Sequence, residues 1–104
     1  MVTMRQGDIW WLESETERRP VLVVTRSAAL PFLQRVVVAP VTRTIRGIRS
    51  EILLDEAEGL PQPCVASFDN LTTVATSNLT QYVGTLGVRH DELCRALRFA
   101  TACS

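Results

Sequence analysis

The pattern of apolar and polar positions along the chain predicts mostly short strands. Its apolar runs are short, rich in valine and bounded by turn residues, which is typical of strands. We predict strands over residues 7–12, 20–25, 35–41, 51–54, 65–68, 70–75 and 82–86, and a helical turn over 27–33. The run PVLVVT at 20–25 is almost continuously apolar, so this strand should be buried on both faces.

Residues 89–102 show helical periodicity instead. Leu93, Leu97 and Ala100 fall on one face, and Asp91 and Glu92 lie in the first turn, where the helix dipole favours acids. Many short strands followed by one helix predict a mainly β (α+β) fold, an SH3-like small barrel of short antiparallel strands with a C-terminal helix. The length of 104 residues fits one domain, over residues 1–104.

The segment after the third predicted strand carries Arg43, Arg46 and Arg49. A helix would place these arginines on one face, but Gly47 and its β-branched neighbours are poor helix formers. We therefore predict a turn between strands, a mobile hairpin that the three arginines share.

The charges are unevenly placed although the net charge is zero. Residues 18–50 contain seven arginines and no acid, and all eleven basic residues of the chain are arginine. A face built from this segment would attract phosphates, and the arginine fork can grip a phosphate with two hydrogen bonds. The alternative is a solvated surface whose charges simply occur in blocks.

Several classes of protein are not indicated. No run approaches the ~20 apolar residues that span a membrane, and the start MVTMRQGD lacks a secretory signal, so we expect a cytoplasmic protein without membrane contact. The three cysteines form no C-x-x-C pair, and no Gly-rich phosphate loop or metal-ligand motif is present. We expect no cofactor and no metal.

Arg19 enters the second predicted strand and Thr42 ends the third. Adjacent strands of a small barrel can bring a guanidinium and a hydroxyl together, and such a pair can stabilise the extra negative charge of a phosphorane when RNA is cleaved by its own 2'-OH. The alternative is structural: an Arg-Arg pair is often a solvated turn, and a threonine at a strand end often caps backbone groups.

The motifs GDIWWL, RRPVLVV, VVVAPVT, GLPQPCVASFDNLTTV and YVGTL, in this order over residues 6–102, resemble the MazF/PemK family of toxin endoribonucleases. The resemblance implies a homodimeric toxin that cleaves single-stranded RNA at short sequences, inhibits translation and growth, and is silenced by a cognate antitoxin. It also implies that Arg19 and Thr42 are the catalytic pair. The residues expected to bind RNA are Arg18, Arg43, Arg46, Arg49, Asp69 and Asn70.

This chain differs from the family pattern at two places. The segment ESETE between the first two strands is short, which leaves the roles of Glu15 and Glu17 open, and Asp69-Asn70 stands where the family commonly has Asp-Gln. A second hypothesis is a CcdB-like gyrase poison of the same fold without nuclease activity. A third is a catalytically silent relative that only binds a partner.

Overall fold

The computed structural model describes residues 3–102. Seven strands precede a single α-helix in this part of the chain. The strands are β1 (Asp8–Glu13), β2 (Arg18–Val23), β3 (Arg35–Thr42), β4 (Glu51–Leu54), β5 (Cys64–Ser67), β6 (Thr72–Ala75) and β7 (Leu79–Thr85), and the helix is α1 (His90–Ala100). Short 3-10 helices cover Ser27–Phe32, Glu56–Glu58, Phe68–Asn70, Thr76–Asn78 and Gly87–Arg89. Across residues 3–102, every helix is too short or too polar to cross a membrane.

All strand pairs are antiparallel, and the sheet curls into a half-barrel. The hydrogen-bonded order is β4-β5-β3-β2-β1-β7, and β6 also pairs with β3. Strand β3 is long enough to pair with three strands. Its first half pairs with β6, its middle with β2 and its end with β5. The predicted small barrel with a C-terminal helix is confirmed.

Strand β2 divides the core into two parts. Leu22 packs into the cluster that contains Leu93 and Ala96 of α1, whereas Val21 and Val23 pack into a second cluster on the opposite face of the sheet. All three β2 residues are buried, which confirms the prediction for the run at 20–25. Each buried aliphatic side chain of this size contributes about 1.5–3 kcal/mol to folding, so β2 anchors the sheet that carries the site.

Most predicted element bounds are displaced by a few residues. Strand β4 matches its prediction, but β2 spans Arg18–Val23 instead of 20–25, because its first residues pair with the end of β1, as in the pair Glu13 and Arg18. The predicted strand at 82–86 begins earlier, at Leu79, for the same reason: residues 79–82 pair with β1. Pairing partners that are distant in sequence fix these bounds.

The arginine-bearing segment 43–50 is a loop, as predicted, but it does not form a hairpin. Strands β3 and β4 are not neighbours, because β5 lies between them and pairs with both. The loop therefore passes β5 to connect β3 with β4, instead of folding back on β3. This crossing spreads its arginines over different parts of the surface.

Candidate active site

Arg19 and Thr42 lie side by side because β2 and β3 run antiparallel. The register pairs Val21 with Pro40. When this register is continued by two residues, Arg19 stands opposite Thr42. Both residues line one surface cavity of about 210 Å³, which we call the Arg19–Thr42 cavity. The structure therefore brings together the two residues that the sequence indicated as a catalytic pair.

The guanidinium of Arg19 is held by two contacts. Its Nη2 donates to the backbone oxygen of Val41 at 3.0 Å, and its Nη1 donates to Oε1 of Glu17 at 3.3 Å. The side chain is still 37% exposed. Because an arginine has five N–H donors, several remain for an anionic ligand while the two contacts fix the orientation of the fork.

Thr42 presents its hydroxyl at the end of β3. Its Oγ1 accepts a hydrogen bond from the backbone N–H of Thr44 at 3.2 Å. This bond uses a lone pair of the oxygen, so the hydroxyl hydrogen stays free to be donated. A phosphate oxygen is a strong acceptor for such a donor.

The loop 43–50 is anchored beside the cavity by Glu51. The backbone N–H groups of Arg46 and Gly47 both donate to Oε1 of Glu51, each at 3.0 Å. Gly47 has a φ of 71°, a conformation that favours glycine. This anchor places Arg46 along the wall of the Arg19–Thr42 cavity.

Asp69 and Asn70 have different positions although they are neighbours. Asn70 lines the Arg19–Thr42 cavity, and its Nδ2 donates to Oγ of Ser67 at 2.9 Å. Asp69 instead accepts a hydrogen bond of 2.6 Å from the hydroxyl of Ser50, which is buried at the end of the loop. The geometry gives Asn70 access to a ligand, whereas Asp69 holds the loop.

The other predicted RNA-binding arginines do not share this cavity. Arg43 lines the adjoining cavity, and the guanidinium of Arg18 lies 5.3 Å from the centre of the Trp11 ring. Arg49 points away toward α1, with its guanidinium 5.9 Å from the centre of the Phe99 ring. The three loop arginines therefore do not converge on one point, because the loop crosses between sheet positions.

Three further polar residues of the site were not identified from the sequence. Thr44 and Ser67 line the Arg19–Thr42 cavity, and Glu51 both lines it and anchors the loop. Glu51 could have been selected from the sequence, because it is the first acidic residue after a segment with seven arginines and no acid. Thr44 and Ser67 had none, since isolated hydroxyl residues near strand ends are common.

Fold and cavity together define a class of protein. A small curled antiparallel sheet carries, at the ends of β2 and β3, a cavity walled by guanidinium, hydroxyl and amide groups and by the carboxylate of Glu51, whose Oε1 accepts from the backbone N–H groups of Arg46 and Gly47. Within residues 3–102, Arg43, Arg46 and Arg49 make no ion pair with a carboxylate, so their charge is not neutralised locally. This is a small half-barrel protein with a site suited to a phosphate-bearing ligand.

Comparison with known proteins identifies the family. Residues 5–100 match the family described as PemK-like, MazF-like toxin of type II toxin-antitoxin system. The chain belongs to this family, and the resemblance noted from its sequence is confirmed.

Relatives from Mycobacterium tuberculosis support the same assignment. The chain is 39% identical over 102 residues to "Probable endoribonuclease MazF5", covering 95% of this chain and 94% of that protein. It is 37% identical over 102 residues to "Probable endoribonuclease MazF2", covering 96% and 100%. Among solved structures, "Mycobacterium tuberculosis toxin MazF-mt6" has a TM-score of 0.84 at 35% identity, covering 93% of this chain and 98% of that chain. These names favour a toxin endoribonuclease over the CcdB-like gyrase poison.

Proposed function

We propose that this protein is a type II toxin that cleaves single-stranded RNA at specific short sequences without a metal ion. The observation that supports it most is the shared cavity of Arg19 and Thr42, beside the unpaired charge of Arg46. Endoribonuclease relatives over nearly the whole chain support the same reaction class. In cells, such cleavage would inhibit translation and growth.

The proposed reaction uses a nucleophile that the substrate already holds. The 2'-hydroxyl of the RNA gives its proton to solvent water as its oxygen attacks the adjacent phosphorus, and the bond from phosphorus to the 5'-oxygen breaks as that oxygen takes up a proton from water. The products are a 2',3'-cyclic phosphate and a 5'-hydroxyl. The protein has to stabilise the phosphorane, which carries more negative charge than the ground-state phosphate.

Arg19 and Thr42 have complementary roles in this proposal. The fork of Arg19, oriented by its bonds to Val41 and Glu17, neutralises the charge that develops on the phosphorane oxygens. Thr42 donates its hydroxyl hydrogen to a phosphate oxygen and so positions the phosphorus. Glu17 orients Arg19 and is assigned no proton transfer. Arg46 and Asn70 hold the neighbouring phosphate and base.

The test is cleavage of single-stranded RNA in EDTA by the purified protein. Removing one group that stabilises transition-state charge typically lowers kcat by about 10²–10³-fold, and we expect this loss for Arg19→Ala. Thr42→Val should lower kcat as well. Arg26→Ala is the matched control, because Arg26 is exposed and lines none of the cavities that carry the proposal, and it should leave the rate unchanged. Intact RNA with the wild-type protein, or a full rate with Arg19→Ala, would contradict the proposal.

Further proposals concern partners and compartment. We infer a homodimer that acts in the cytoplasm and is silenced by a cognate antitoxin. The family description, a toxin of a type II toxin-antitoxin system, supports the antitoxin. Ile45 and Ile48 on the loop 43–50 and Leu53 on β4 are exposed apolar side chains, which a partner bound at this side of the domain would cover. An acidic antitoxin segment would compete with RNA for the same arginines.

A further inference from the structure

We propose that Glu51 fills a phosphate-binding site on the backbone of the loop 43–50, and that a phosphate of the RNA takes its place when the strand binds. The site consists of the backbone N–H groups of Arg46 and Gly47, which both donate to Oε1 of Glu51 at 3.0 Å. We call it the 46–47 site. The inference rests on the proposed function, which supplies an RNA strand as the ligand.

The strand register places Glu51 on the same face of the sheet as the proposed catalytic pair. Thr42 pairs with Val65 of β5, and Ser67 lies two residues further along β5, on the same face. Glu51 of β4 pairs with Ser67 and therefore shares this face. Arg19, Thr42 and Glu51 all line the Arg19–Thr42 cavity. A phosphate bound in this cavity therefore has a carboxylate in the wall beside it.

The carboxylate of Glu51 opposes a phosphate in this cavity unless it moves. Within residues 3–102, Glu51 makes no ion pair with an arginine, so its charge is held by the two backbone N–H groups. Two negative charges that share a cavity repel each other. Glu51 is only partly buried, so its carboxylate can turn toward water and leave the two N–H groups to the RNA.

The backbone of the 46–47 site has the form of an anion site. Gly47 has a φ of 71°, the left-handed conformation, and its N–H and that of Arg46 converge on a single oxygen. Successive N–H groups arranged in this way form a concavity that binds anions, including phosphates. A phosphodiester carries one negative charge, as a carboxylate does, and its oxygens are strong acceptors. The two anions therefore suit the same donors.

Arg46 favours the phosphate over the carboxylate. Its side chain lines the cavity and makes no ion pair in the part of the chain that the structure describes. A phosphate at the 46–47 site has a second charged oxygen, which the guanidinium of Arg46 can bind. Glu51 leaves this guanidinium unused. The exchange thus keeps the two backbone hydrogen bonds, adds one from the arginine, and removes the repelling carboxylate from the cavity.

The test is the affinity for an uncleavable strand, measured by fluorescence anisotropy with a 2'-fluoro RNA oligonucleotide, which lacks the attacking hydroxyl. Glu51→Gln keeps an oxygen that can accept from both N–H groups, so the loop keeps its anchor. Because charge-assisted hydrogen bonds are about twice as strong as neutral ones, the strand should displace the glutamine more easily and bind about ten-fold more tightly. A residue that served only to anchor the loop would give equal or weaker binding when it is replaced.

Two controls separate the release of the site from a change in charge. Glu56→Gln removes the same charge at an exposed position outside the Arg19–Thr42 cavity, and salt screening should leave the affinity nearly unchanged. Gly47→Val disrupts the 46–47 site itself, because a β-branched residue disfavours a positive φ although its side chain would meet open space. In the Gly47→Val background, Glu51→Gln should bring little gain in affinity.

The outcomes distinguish this site from the proposed function. A gain for Glu51→Gln that disappears in the Gly47→Val background supports the exchange. No gain, or equal gains in both backgrounds, overturns it, while cleavage of RNA by the wild type leaves the proposed function standing. If the wild type binds the strand but cuts no RNA, the proposed function fails, and the same comparison of affinities still decides the phosphate site. If it does neither, both are refuted.

Discussion

Arg89 connects three parts of the domain through one guanidinium. Its Nη1 lies 3.1 Å from Oε2 of Glu58, and its Nη2 donates to the backbone oxygen of Leu53 at 2.7 Å. Within the first turn of α1, its Nε and Nη2 donate to Glu92 at 2.7 and 2.8 Å. We predict that Arg89→Met, which keeps the apolar stem and removes the fork, lowers the free energy of unfolding by about 3 kcal/mol.

This magnitude follows from the exposure of each partner. The side chain of Glu58 is 7% exposed, so its bond to Arg89 has the value of a charged hydrogen bond, about 1.5–3 kcal/mol. The bond to the oxygen of Leu53 adds about 1 kcal/mol. Glu92 is 38% exposed, and such a surface pair contributes only about 0–1 kcal/mol. Glu58 keeps its second hydrogen bond, from the backbone N–H of Asp55, so the expected loss of about 3 kcal/mol lies near the lower end of the summed range.

The assay is urea unfolding followed by the fluorescence of Trp10 and Trp11, at one protein concentration because the stability of the proposed dimer would depend on concentration. With a slope near 2 kcal/mol per molar urea, a loss of 3 kcal/mol lowers the midpoint by about 1.5 M. Arg95→Met is the matched control on an exposed position of α1 and should change the midpoint little. A midpoint for Arg89→Met equal to that of Arg95→Met would refute the reasoning.

The hydrogen bond from Arg89 lowers the pKa of Glu92, and the charge of Arg89 acts in the same direction against desolvation. A carboxyl whose pKa is lower in the folded than in the unfolded state stabilises the fold above its unfolded pKa of about 4.3, and this contribution is lost as the pH falls through the folded pKa. We therefore expect stability to fall less steeply with acidification in Glu92→Gln than in the wild type. Unfolding experiments at stepped pH measure this dependence. Gly84→Ala should lower the free energy of unfolding by more than about 3 kcal/mol, because the added Cβ would overlap the backbone oxygen of Glu58. In Gly87→Ala the added Cβ meets open space and only the positive φ is unfavourable, so the loss should be about 1 kcal/mol. Equal melting temperatures for the two variants would contradict the packing argument.

Much of the fold was predictable because local patterns decide it. Alternating and continuous apolar runs located the strands, and the 3.6-residue period located α1. Strand bounds were less predictable. The start of β2 at Arg18 depends on the pairing of Arg18 with Glu13, and the sheet order depends on β5 lying between β3 and β4. These pairings are contacts between distant residues, which no local pattern encodes.

The features of the site likewise divide into those that the sequence predicts and those that only the tertiary structure determines. Arg19 and Thr42 could be selected from the sequence, because their chemistry and their places at strand ends are local features. The divergence of Arg43, Arg46 and Arg49 and the anchoring role of Glu51 were decided only by the tertiary structure. The physical reason is that residue types and their spacing determine what each side chain can do, whereas the pairing of distant strands determines which side chains can meet one ligand.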